Sequence, residues 1–125
     1  MAAVRVLVDT DVLIDYFNAG EYAPLLDDRR NRIYYSVVTR KELLAKEGLR
    51  DSERRAILEA LARFRLVPLT RAIAERYASV RRASPALAQE DAVIAATAIE
   101  KRLPLLTRNW RHFSRVMGVA LYSGH

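Results

Sequence analysis

Cysteine is absent from the sequence, and histidine occurs only twice, once as the last residue. The absence of cysteine excludes disulfide bonds, thiol catalysis and zinc sites with cysteine ligands. Two histidines give little basis for a histidine-built zinc site or a Ser-His-Asp triad. No apolar run approaches the roughly 18 residues of a membrane-spanning helix. We therefore expect a cytoplasmic protein that does not contact a membrane.

The composition is that of a globular domain with an excess of positive charge. Hydrophobic residues make up 51% of the 125 residues and charged residues 29%, which favours a single domain over 1–125. Lysine and arginine total 21 against 15 acidic residues, a net charge of +6, and 18 of the 21 are arginine. Arginine suits bidentate phosphate contacts, so a nucleic acid partner is one interpretation. The other is that the arginine content reflects a GC-rich or heat-adapted genome.

Apolar runs of strand length alternate with helical patterns along the chain. Strands are predicted at 4–8, 33–37, 66–69, 103–107 and 119–122. Helices are predicted at 12–18, 22–30, 39–47, 51–64, 71–82, 85–102 and 109–113, with Asp51 as a capping residue. Strands separated by helices form a mostly parallel sheet that is covered on both faces. We expect an α/β fold: one three-layer α/β/α domain with about five strands and a ligand site beyond the carboxyl ends of the strands.

Two acids follow the first predicted strand closely. Asp11 is the better N-cap for the next helix, because the apolar helical pattern begins at Val12. This assignment leaves Asp9 at the carboxyl edge of the sheet without a structural role. We therefore expect Asp9 to take part in metal binding or phosphate chemistry.

Asp91 lies on the apolar stripe of an alanine-rich helix, four residues after Leu87 and three before Ile94. An unpaired buried carboxylate costs several kcal/mol, so a metal or another cation is expected beside it. Stabilisation by the helix dipole is the structural alternative. If Ser84 caps this helix and Pro85 begins it, Asp91 is nearer the second turn, and the metal interpretation is favoured.

Two further oxygen donors follow predicted strands, and each also has an ordinary structural explanation. Glu42 fits a capping box with Thr39, yet it shares a helical stripe with Val38 and Ala45 that tilts it inward. Asn109 fits an N-cap for the turn that follows it, or a carbonyl ligand of a hard cation. The residues alone leave both choices open.

Oxygen donors without soft ligands select a hard cation such as Mg²⁺ or Mn²⁺. Three clustered carboxylates repel one another unless a cation binds or one of them takes up a proton. A cation held by acids and open on one side can bridge a phosphate and activate water. The acids therefore indicate phosphodiester hydrolysis, provided that they meet in space.

Four blocks in this order resemble the PIN-domain ribonucleases, and most closely the VapC-type toxins of toxin–antitoxin pairs. They are Val-Asp-Thr-Asp-Val-Leu-Ile at 8–14, Ser-Val-Val-Thr-Arg-Lys-Glu-Leu at 36–43, Asp-Ala-Val-Ile-Ala-Ala-Thr-Ala at 91–98, and Leu-Thr-Arg-Asn at 106–109 with His-Phe at 112–113. The resemblance covers nearly the whole chain. It implies a parallel α/β/α fold that binds Mg²⁺ or Mn²⁺ and cleaves RNA. It also implies that Asp91 reaches the carboxyl edge of the sheet, a step that the predicted topology alone does not supply.

The resemblance assigns residue roles as well. Asp9, Glu42 and Asp91 would be the catalytic acids that bind the metal. Thr10 would orient Asp9 or a bound water, and Thr107 would have a supporting role.

Two positions depart from the family pattern. Many members have a fourth acid where this chain has Asn109, and an aspartate where it has His112. These departures leave Asn109 as a weaker metal ligand and put a second metal position in doubt, whereas the three main acids are intact.

The resemblance implies three partners: an RNA substrate, a small cognate antitoxin that inserts a segment into the acidic site, and a second copy of the chain in a homodimer. Arg108 and Arg111 are expected to contact RNA phosphates, and Trp110 and Tyr16 are candidates for stacking on bases. Further candidate phosphate contacts are Arg29, Arg30, Arg32, Arg81 and Arg82.

Other classes match the sequence less completely. A haloacid-dehalogenase-type phosphatase also has an apolar strand followed by Asp-x-Asp, as at Asp9 and Asp11. That class needs a downstream lysine and a late acidic pair as well, whereas Asp91 is the only aspartate after residue 51 of this chain. A phosphorelay receiver domain needs a central phosphoacceptor aspartate and a late lysine before proline, which are missing. The remaining alternative is a non-catalytic RNA- or protein-binding module with a PIN-like fold, which gains a little support from the departures at Asn109 and His112.

Overall fold

The computed structural model describes residues 3–123 as one sheet of four strands with seven helices. The strands are β1 (Arg5–Val8), β2 (Arg32–Ser36), β3 (Arg65–Val67) and β4 (Leu105–Leu106). The helices are α1 (Thr10–Ala19), α2 (Ala23–Leu26), α3 (Val37–Leu44), α4 (Asp51–Arg63), α5 (Arg71–Ala83), α6 (Gln89–Lys101) and α7 (Trp110–Phe113). No helix in this range combines the length and the apolar content that crossing a bilayer requires.

All four strands are parallel and have the spatial order β3-β2-β1-β4. The chain moves outward from β1 through β2 to β3 and then returns to place β4 on the other side of β1. In open α/β sheets such a reversal of strand order opens a crevice at the carboxyl ends of the strands. The predicted α/β class and parallel sheet are therefore confirmed, and the reversal shows where a ligand site is expected.

Alternate residues of β1 enter opposite halves of the core, because successive side chains of a strand point to opposite faces of the sheet. Val6 and Val8 pack in one cluster with Leu61 and other residues of α1, α3 and α4. Leu7 packs in a second cluster with Ile73 and other residues of α5 and α6. The sheet is thus the middle of three layers, as the sequence predicted.

Two predicted helices are shorter than the sequence pattern indicates. Ser84 does not cap α6, because its backbone N–H closes the last turn of α5, and α6 begins only at Gln89. The predicted helix over 22–30 ends at Leu26. A side-chain oxygen of Asp28 accepts a 3.0 Å hydrogen bond from the backbone N–H of Arg30, which favours a turn over a longer helix.

The fifth predicted strand, at 119–122, forms a single parallel bridge between Leu121 and Leu105. The N–H of Tyr122 donates to the carbonyl of Leu105, and the N–H of Leu105 donates to the carbonyl of Ala120, both at 2.8 Å. The neighbouring strand β4 has only two residues, so a longer ladder cannot form. The sheet of the described range therefore has four strands rather than about five.

The start of α4 is predicted correctly to one residue, but its capping residue is not. Arg50 takes the N-cap position, and Asp51 is the first residue of the helix. The carboxylate of Glu53 accepts hydrogen bonds from the backbone N–H of Arg50 at 3.2 Å and from its Nε at 2.9 Å. This local closure explains why the helix begins at Asp51, one residue earlier than a cap at Asp51 would place its start.

Candidate active site

The carboxyl ends of β1 and β4 lie side by side where the strand order reverses. Val8 is in register with Leu106, so Asp9 and Thr107, the residues that follow them, are neighbours. The backbone N–H of Asp9 donates to the carbonyl of Leu106 at 2.9 Å. The hydroxyl of Thr107 donates to Asp9 Oδ2 at 2.7 Å, and both residues are buried. Two parts of the chain that are 98 residues apart in sequence thus meet at this edge.

Asp9 is the N-cap of α1, and the prediction that Asp11 would be the cap is wrong. Oδ1 of Asp9 accepts from the backbone N–H of Thr10 at 2.8 Å, and Asp11 lies in the first turn of the helix. The apolar pattern was misleading because α1 begins at Thr10, two residues before the first apolar position. Asp9 remains part of the candidate site although it caps the helix. Its second oxygen, Oδ2, accepts from Thr107 at the end of β4, where the strand order reverses.

The environment of Asp9 favours its protonated form. Its pKa is raised from 3.8 to about 7, by burial first and then by the negative charge of Asp11, with a further contribution from Asp91. The hydrogen bonds that Asp9 accepts from Thr107 and Thr10 act in the opposite direction. Asp9 therefore takes up a proton near neutral pH unless a positive charge comes close, as expected of an acid that binds a cation.

Glu42 is joined to the same edge by a chain of hydroxyl groups. The Thr10 hydroxyl donates to Glu42 Oε1 at 2.8 Å and lies 2.9 Å from the hydroxyl of Thr39. Since Thr10 has one hydroxyl proton, Thr39 is the donor in the second of these bonds. Ser36 caps α3, so the capping box of Thr39 with Glu42 does not form. Thr10 thus contacts Asp9 through its backbone and orients Glu42 with its side chain.

Asp91 lies in the first turn of α6 and is half-buried. The prediction that it would be nearer the second turn is wrong because α6 begins at Gln89, and the helix dipole therefore favours its ionised form. Its pKa is nevertheless raised, by burial first and then by the charges of Glu42 and Asp11. The helix α6 thus brings Asp91 to the edge where Asp9 and Glu42 lie, and the three predicted acids are electrostatic neighbours.

Asp11 is a fourth acid of this edge, although it was not among the acids predicted to bind the metal. Its pKa is raised by burial, and the backbone N–H and the charge of Arg108 oppose that effect. Nε of Arg108 lies 3.7 Å from Asp11 Oδ2 and 3.1 Å from Asp15 Oδ2. Asp11 and Asp15 share one face of α1 because they are four residues apart, a spacing that the sequence does show. The adjacency of β1 and β4, which brings Arg108 beside them, is not visible in the sequence.

The segment that follows β4 contacts this edge at several points. The backbone N–H of Asn109 donates to Thr107 Oγ1 at 2.9 Å. Asn109 occupies the N-cap position of α7, but its side chain makes no capping hydrogen bond. The charge of His112 lowers the pKa of Asp91 against the effect of burial, so His112 lies near that acid. The weaker metal role of Asn109 stays a prediction.

The predicted nucleic-acid contacts differ in their surroundings. Arg111 is exposed, and its guanidinium carbon lies 5.1 Å from the centre of the Trp110 ring. Arg32 begins β2 and therefore lies at the amino edge of the sheet, opposite the acids. The hydroxyl of Tyr16 donates to Asp27, and its half-buried ring contacts two phenylalanines. Its stacking on a base stays a prediction.

The donor set of this edge fits a hard cation, because it consists of carboxylate and hydroxyl oxygens. Burial, and then the charges of neighbouring carboxylates, raise the pKa values of Asp9 and Asp91. Between residues 3 and 123, no three aspartate, glutamate or histidine side chains are close enough together to hold a metal as they stand. Direct coordination by all of Asp9, Glu42 and Asp91 therefore requires their side chains to close in from these positions. A cation would offset the repulsion that now raises the pKa of Asp9.

A groove of about 650 Å³ lies beside the acids, between α1, α3 and α4. Thr10 and Glu42 belong to its walls, so the groove is continuous with the acidic edge. No pattern in the sequence indicated this groove. Most of the remaining wall is apolar and includes Ile14, Phe17, Leu43, Leu49, Ala56 and Ile57.

Sequence comparison places these residues in a known family. The PIN domain family matches residues 6–119 of this chain. The chain is also 37% identical over 115 residues to Ribonuclease VapC10 of Mycobacterium tuberculosis, and that match covers 86% of this chain and 85% of the relative. These matches leave no support for the phosphatase and receiver-domain alternatives.

Solved structures share the fold. A chain of a toxin-antitoxin complex from Klebsiella pneumoniae is 30% identical, with a TM-score of 0.77 over 95% of this chain and 99% of that one. The crystal structure of VapBC2 from Rickettsia felis, bound to a DNA fragment from its promoter, gives a TM-score of 0.83 over 98% of this chain and 100% of that one. Its identity is 18%, so this likeness concerns the fold alone. The chain belongs to the PIN domain family, as the four sequence blocks predicted.

Proposed function

We propose that this chain is a divalent-metal-dependent ribonuclease and the toxin of a toxin–antitoxin pair. The observation that carries the proposal is the buried Asp9 at the reversal of strand order, whose pKa burial and neighbouring acids raise to about 7. Such a carboxylate is stabilised in its ionised form when a cation binds. Membership of the PIN domain family and the likeness to a protein named as a ribonuclease support the same function.

Asp9, Glu42 and Asp91 would hold Mg²⁺ or Mn²⁺, with Asn109 as a weaker oxygen donor. The bound ion would supply a Lewis acid for the phosphodiester and a nucleophilic water at neutral pH. The oxygen ligands are those of a hard ion, which is why Mg²⁺ and Mn²⁺ are proposed rather than zinc.

Two hydroxyl groups orient the acids in this proposal. Thr107 donates to Oδ2 of Asp9 and Thr10 donates to Oε1 of Glu42, so each carboxylate is fixed in direction. A carboxylate oxygen has two lone pairs, so an oxygen that accepts one hydrogen bond can still bind a cation. Such orienting contacts commonly change metal affinity or activity 10- to 100-fold when they are lost. Thr107 also lowers the pKa of Asp9, which keeps more of this acid ionised near neutral pH.

The proposed partners follow from charge and from the groove. A net charge of +6 favours a polyanionic substrate such as RNA, and Arg108 and Arg111 are its proposed phosphate contacts. The apolar groove beside Glu42 is the proposed seat of an antitoxin segment, since an occupant of this groove would also reach the acids. The proposal also includes that two copies of the chain form a homodimer and that the protein is located in the cytoplasm.

A cleavage assay tests the enzymatic function and separates it from the non-catalytic alternative. We expect the purified chain to cleave single-stranded RNA with Mn²⁺ or Mg²⁺ and to stop cleaving with a chelator. Asp9→Asn should abolish cleavage, whereas Glu47→Gln, at an exposed acid outside the proposed ligand set, should not. Retained cleavage by Asp9→Asn would contradict the proposed site. RNA binding without cleavage under any divalent ion would instead favour the binding module.

The partner proposal has its own test. If a small reading frame overlaps or adjoins the gene of this chain, its product should co-purify with the wild-type chain after co-expression. Ile14→Arg places a charge in the groove wall at a residue that is already 41% exposed, so it should weaken co-purification without unfolding the protein. Unchanged co-purification would show that the product binds elsewhere. Light scattering on the isolated chain tests the homodimer.

A further inference from the structure

The C-terminal part of the chain has a one-sided charge. From residue 101 onward there are five basic residues and no acidic ones: Lys101, Arg102, Arg108, Arg111 and Arg115. An exposed tryptophan lies among them, since Trp110 has 52% of its surface accessible. Large aromatic side chains are usually well buried, so this exposure calls for an explanation.

The position of Trp110 is determined by its neighbours in α7. Phe113 is fully buried and anchors this short helix to the core, whereas Trp110 remains on the outside. The guanidinium of Arg111 lies 5.1 Å from the centre of the indole ring, a distance at which a cation is attracted to the ring face. Trp110 and Arg111 therefore form an exposed pair with an aromatic surface and a positive charge.

This pair lies next to the acidic edge. On one side, the backbone N–H of Asn109 donates to Thr107, which in turn donates to Asp9. On the other side, the charge of His112 reaches Asp91. Trp110 thus lies in the chain between Asn109, which is linked to Asp9 through Thr107, and His112, whose charge acts on Asp91.

We propose that Trp110 and Arg111 form a stacking platform for a base of single-stranded RNA beside the cleavage site. This inference rests on the proposed function and deepens it, since it assigns a subsite for the substrate. Every base has a face that can stack on indole, and a neighbouring guanidinium can contact the adjacent phosphate. The absence of acids after residue 100 suits this polyanion better than an acidic or neutral protein surface. A duplex would keep its bases stacked internally, so the platform requires single-stranded RNA.

The chain offers a direct probe, because Trp110 is its only tryptophan. A short single-stranded RNA should quench the tryptophan emission in a saturable manner when it is added with a chelator, which prevents metal-dependent cleavage. Polyphosphate has the same charge without bases, so it should leave the emission nearly unchanged at saturation. Duplex RNA of the same length should quench less than the single strand.

Variants measure the contribution of the ring by the anisotropy of a labelled RNA. Trp110→Ala should weaken binding about 5- to 150-fold, the range that corresponds to 1–3 kcal/mol for one stacked base. Trp110→Phe keeps an aromatic face and should lose less than Trp110→Ala. Leu69→Ala is the matched control, since Leu69 is a comparably exposed apolar residue in the β3–α5 connection, and it should bind like the wild type.

Several results would overturn the platform. One is quenching by polyphosphate that equals the quenching by single-stranded RNA, and another is equal RNA affinity of Trp110→Ala and wild type. A third is an emission that changes with protein concentration in the absence of RNA, which would place Trp110 between copies of the chain. Circular dichroism identifies a misfolded variant, and the quenching of the wild type remains informative in that case. RNA cleavage without quenching refutes the platform and leaves the enzyme, whereas quenching without cleavage refutes the enzyme and leaves the platform.

Discussion

The hydroxyl of Thr107 donates a 2.7 Å hydrogen bond to Asp9, and it is one of only two hydrogen bonds that lower the pKa of this buried acid. The contact forms because β4 lies beside β1 and the two strands end together. Without this hydrogen bond, burial and the surrounding acids would raise the pKa of Asp9 further. The bond is therefore a means by which the fold keeps a buried carboxylate available to a cation.

The first prediction concerns the pH dependence of stability without metal. The pKa of Asp9 is about 7 in the folded chain, against the ordinary value of 3.8 that holds in the unfolded chain. Between these values the folded state holds a proton that the unfolded state has released, so the free energy of unfolding falls as pH rises and levels off above about pH 7. Each pKa unit corresponds to 1.36 kcal/mol, so Asp9 alone destabilises the metal-free chain by about 4 kcal/mol at pH 8. Urea denaturation at several pH values measures this trend.

Asp9→Asn is the variant that isolates this group, because asparagine resembles the protonated acid in shape and hydrogen bonding. Its amide oxygen can accept from Thr10, and its amide N–H can donate to the Thr107 hydroxyl. The variant should match the wild type near pH 4 and be more stable at pH 8, with a difference approaching about 4 kcal/mol. If the two proteins have parallel pH profiles, Asp9 does not have the raised pKa. Mn²⁺ should raise the melting temperature of the wild type and not that of the variant.

The layer arrangement and Asp9 could be predicted for physical reasons that act locally. A run such as Val6 to Val8 is fully apolar because this strand is covered on both faces, and an acid directly after it stands out. Strand order is not local information. Because β4 pairs with β1, the contact between Thr107 and Asp9 joins residues 98 positions apart, and no spacing in the sequence encodes it.

The second prediction tests Thr107 as a positioning residue. Thr107→Val keeps the shape of the side chain but removes the hydroxyl that donates to Asp9 and accepts from the N–H of Asn109. We expect the pKa of Asp9 to rise further and Mn²⁺ affinity or cleavage to fall about 10- to 100-fold. Calorimetric titration with Mn²⁺ and the pH profile of stability measure the two effects.

Thr107→Ser is the matched control, since it keeps the hydroxyl and loses only a methyl group. It should restore most of the Mn²⁺ affinity and return the pH profile toward that of the wild type. A Ser variant as defective as the Val variant would mean that Thr107 acts through packing rather than through its hydrogen bond.

The third prediction concerns Asp91, whose pKa is raised by burial and by the charges of Glu42 and Asp11. Asp91→Asn should fold and should be more stable than the wild type at pH 8 without metal. Its rate of cleavage should fall more than about 100-fold, since a loss of up to about 100-fold is typical of a residue that only orients a ligand. Glu90→Gln is the control, because Glu90 is an exposed acid in the same first turn of α6. If the helix dipole were the main influence, both variants would lose stability alike.

One error in the predicted elements, the start of α6, changes the position of a candidate site residue. Ser84 followed by Pro85 is a pattern typical of a helix start, yet Ser84 closes α5, because the same residue types occur at turns on either side of a helix. The late start of α6 then moves Asp91 into the first turn. Local signals indicate that a boundary is near, whereas packing between α5, α6 and the sheet decides which helix the boundary belongs to.

The fourth prediction concerns Arg108, which lies 3.1 Å from Asp15 and 3.7 Å from Asp11. Its side chain is 55% exposed, so Arg108→Ala should change the free energy of unfolding by no more than about 1 kcal/mol. Removing its charge leaves Asp11 without the opposing charge of Arg108. Mn²⁺ affinity should therefore rise about two- to tenfold at low salt, the scale of the roughly 1 kcal/mol between unit charges about 4 Å apart in water. RNA affinity should fall, because a phosphate contact is lost.

Arg111→Ala removes the same charge from the same segment, but Arg111 lies over the Trp110 ring rather than at an acid. We therefore expect it to weaken RNA binding and to leave Mn²⁺ affinity close to that of the wild type. Calorimetric titration of both variants with Mn²⁺ distinguishes an effect of the Arg108 ion pair from an effect of net charge. Equal gains in Mn²⁺ affinity for the two variants would assign the effect to net charge. Exposed charges are screened within about 10 Å at 0.1 M salt, so a gain that persists unchanged in high salt would argue against an electrostatic origin.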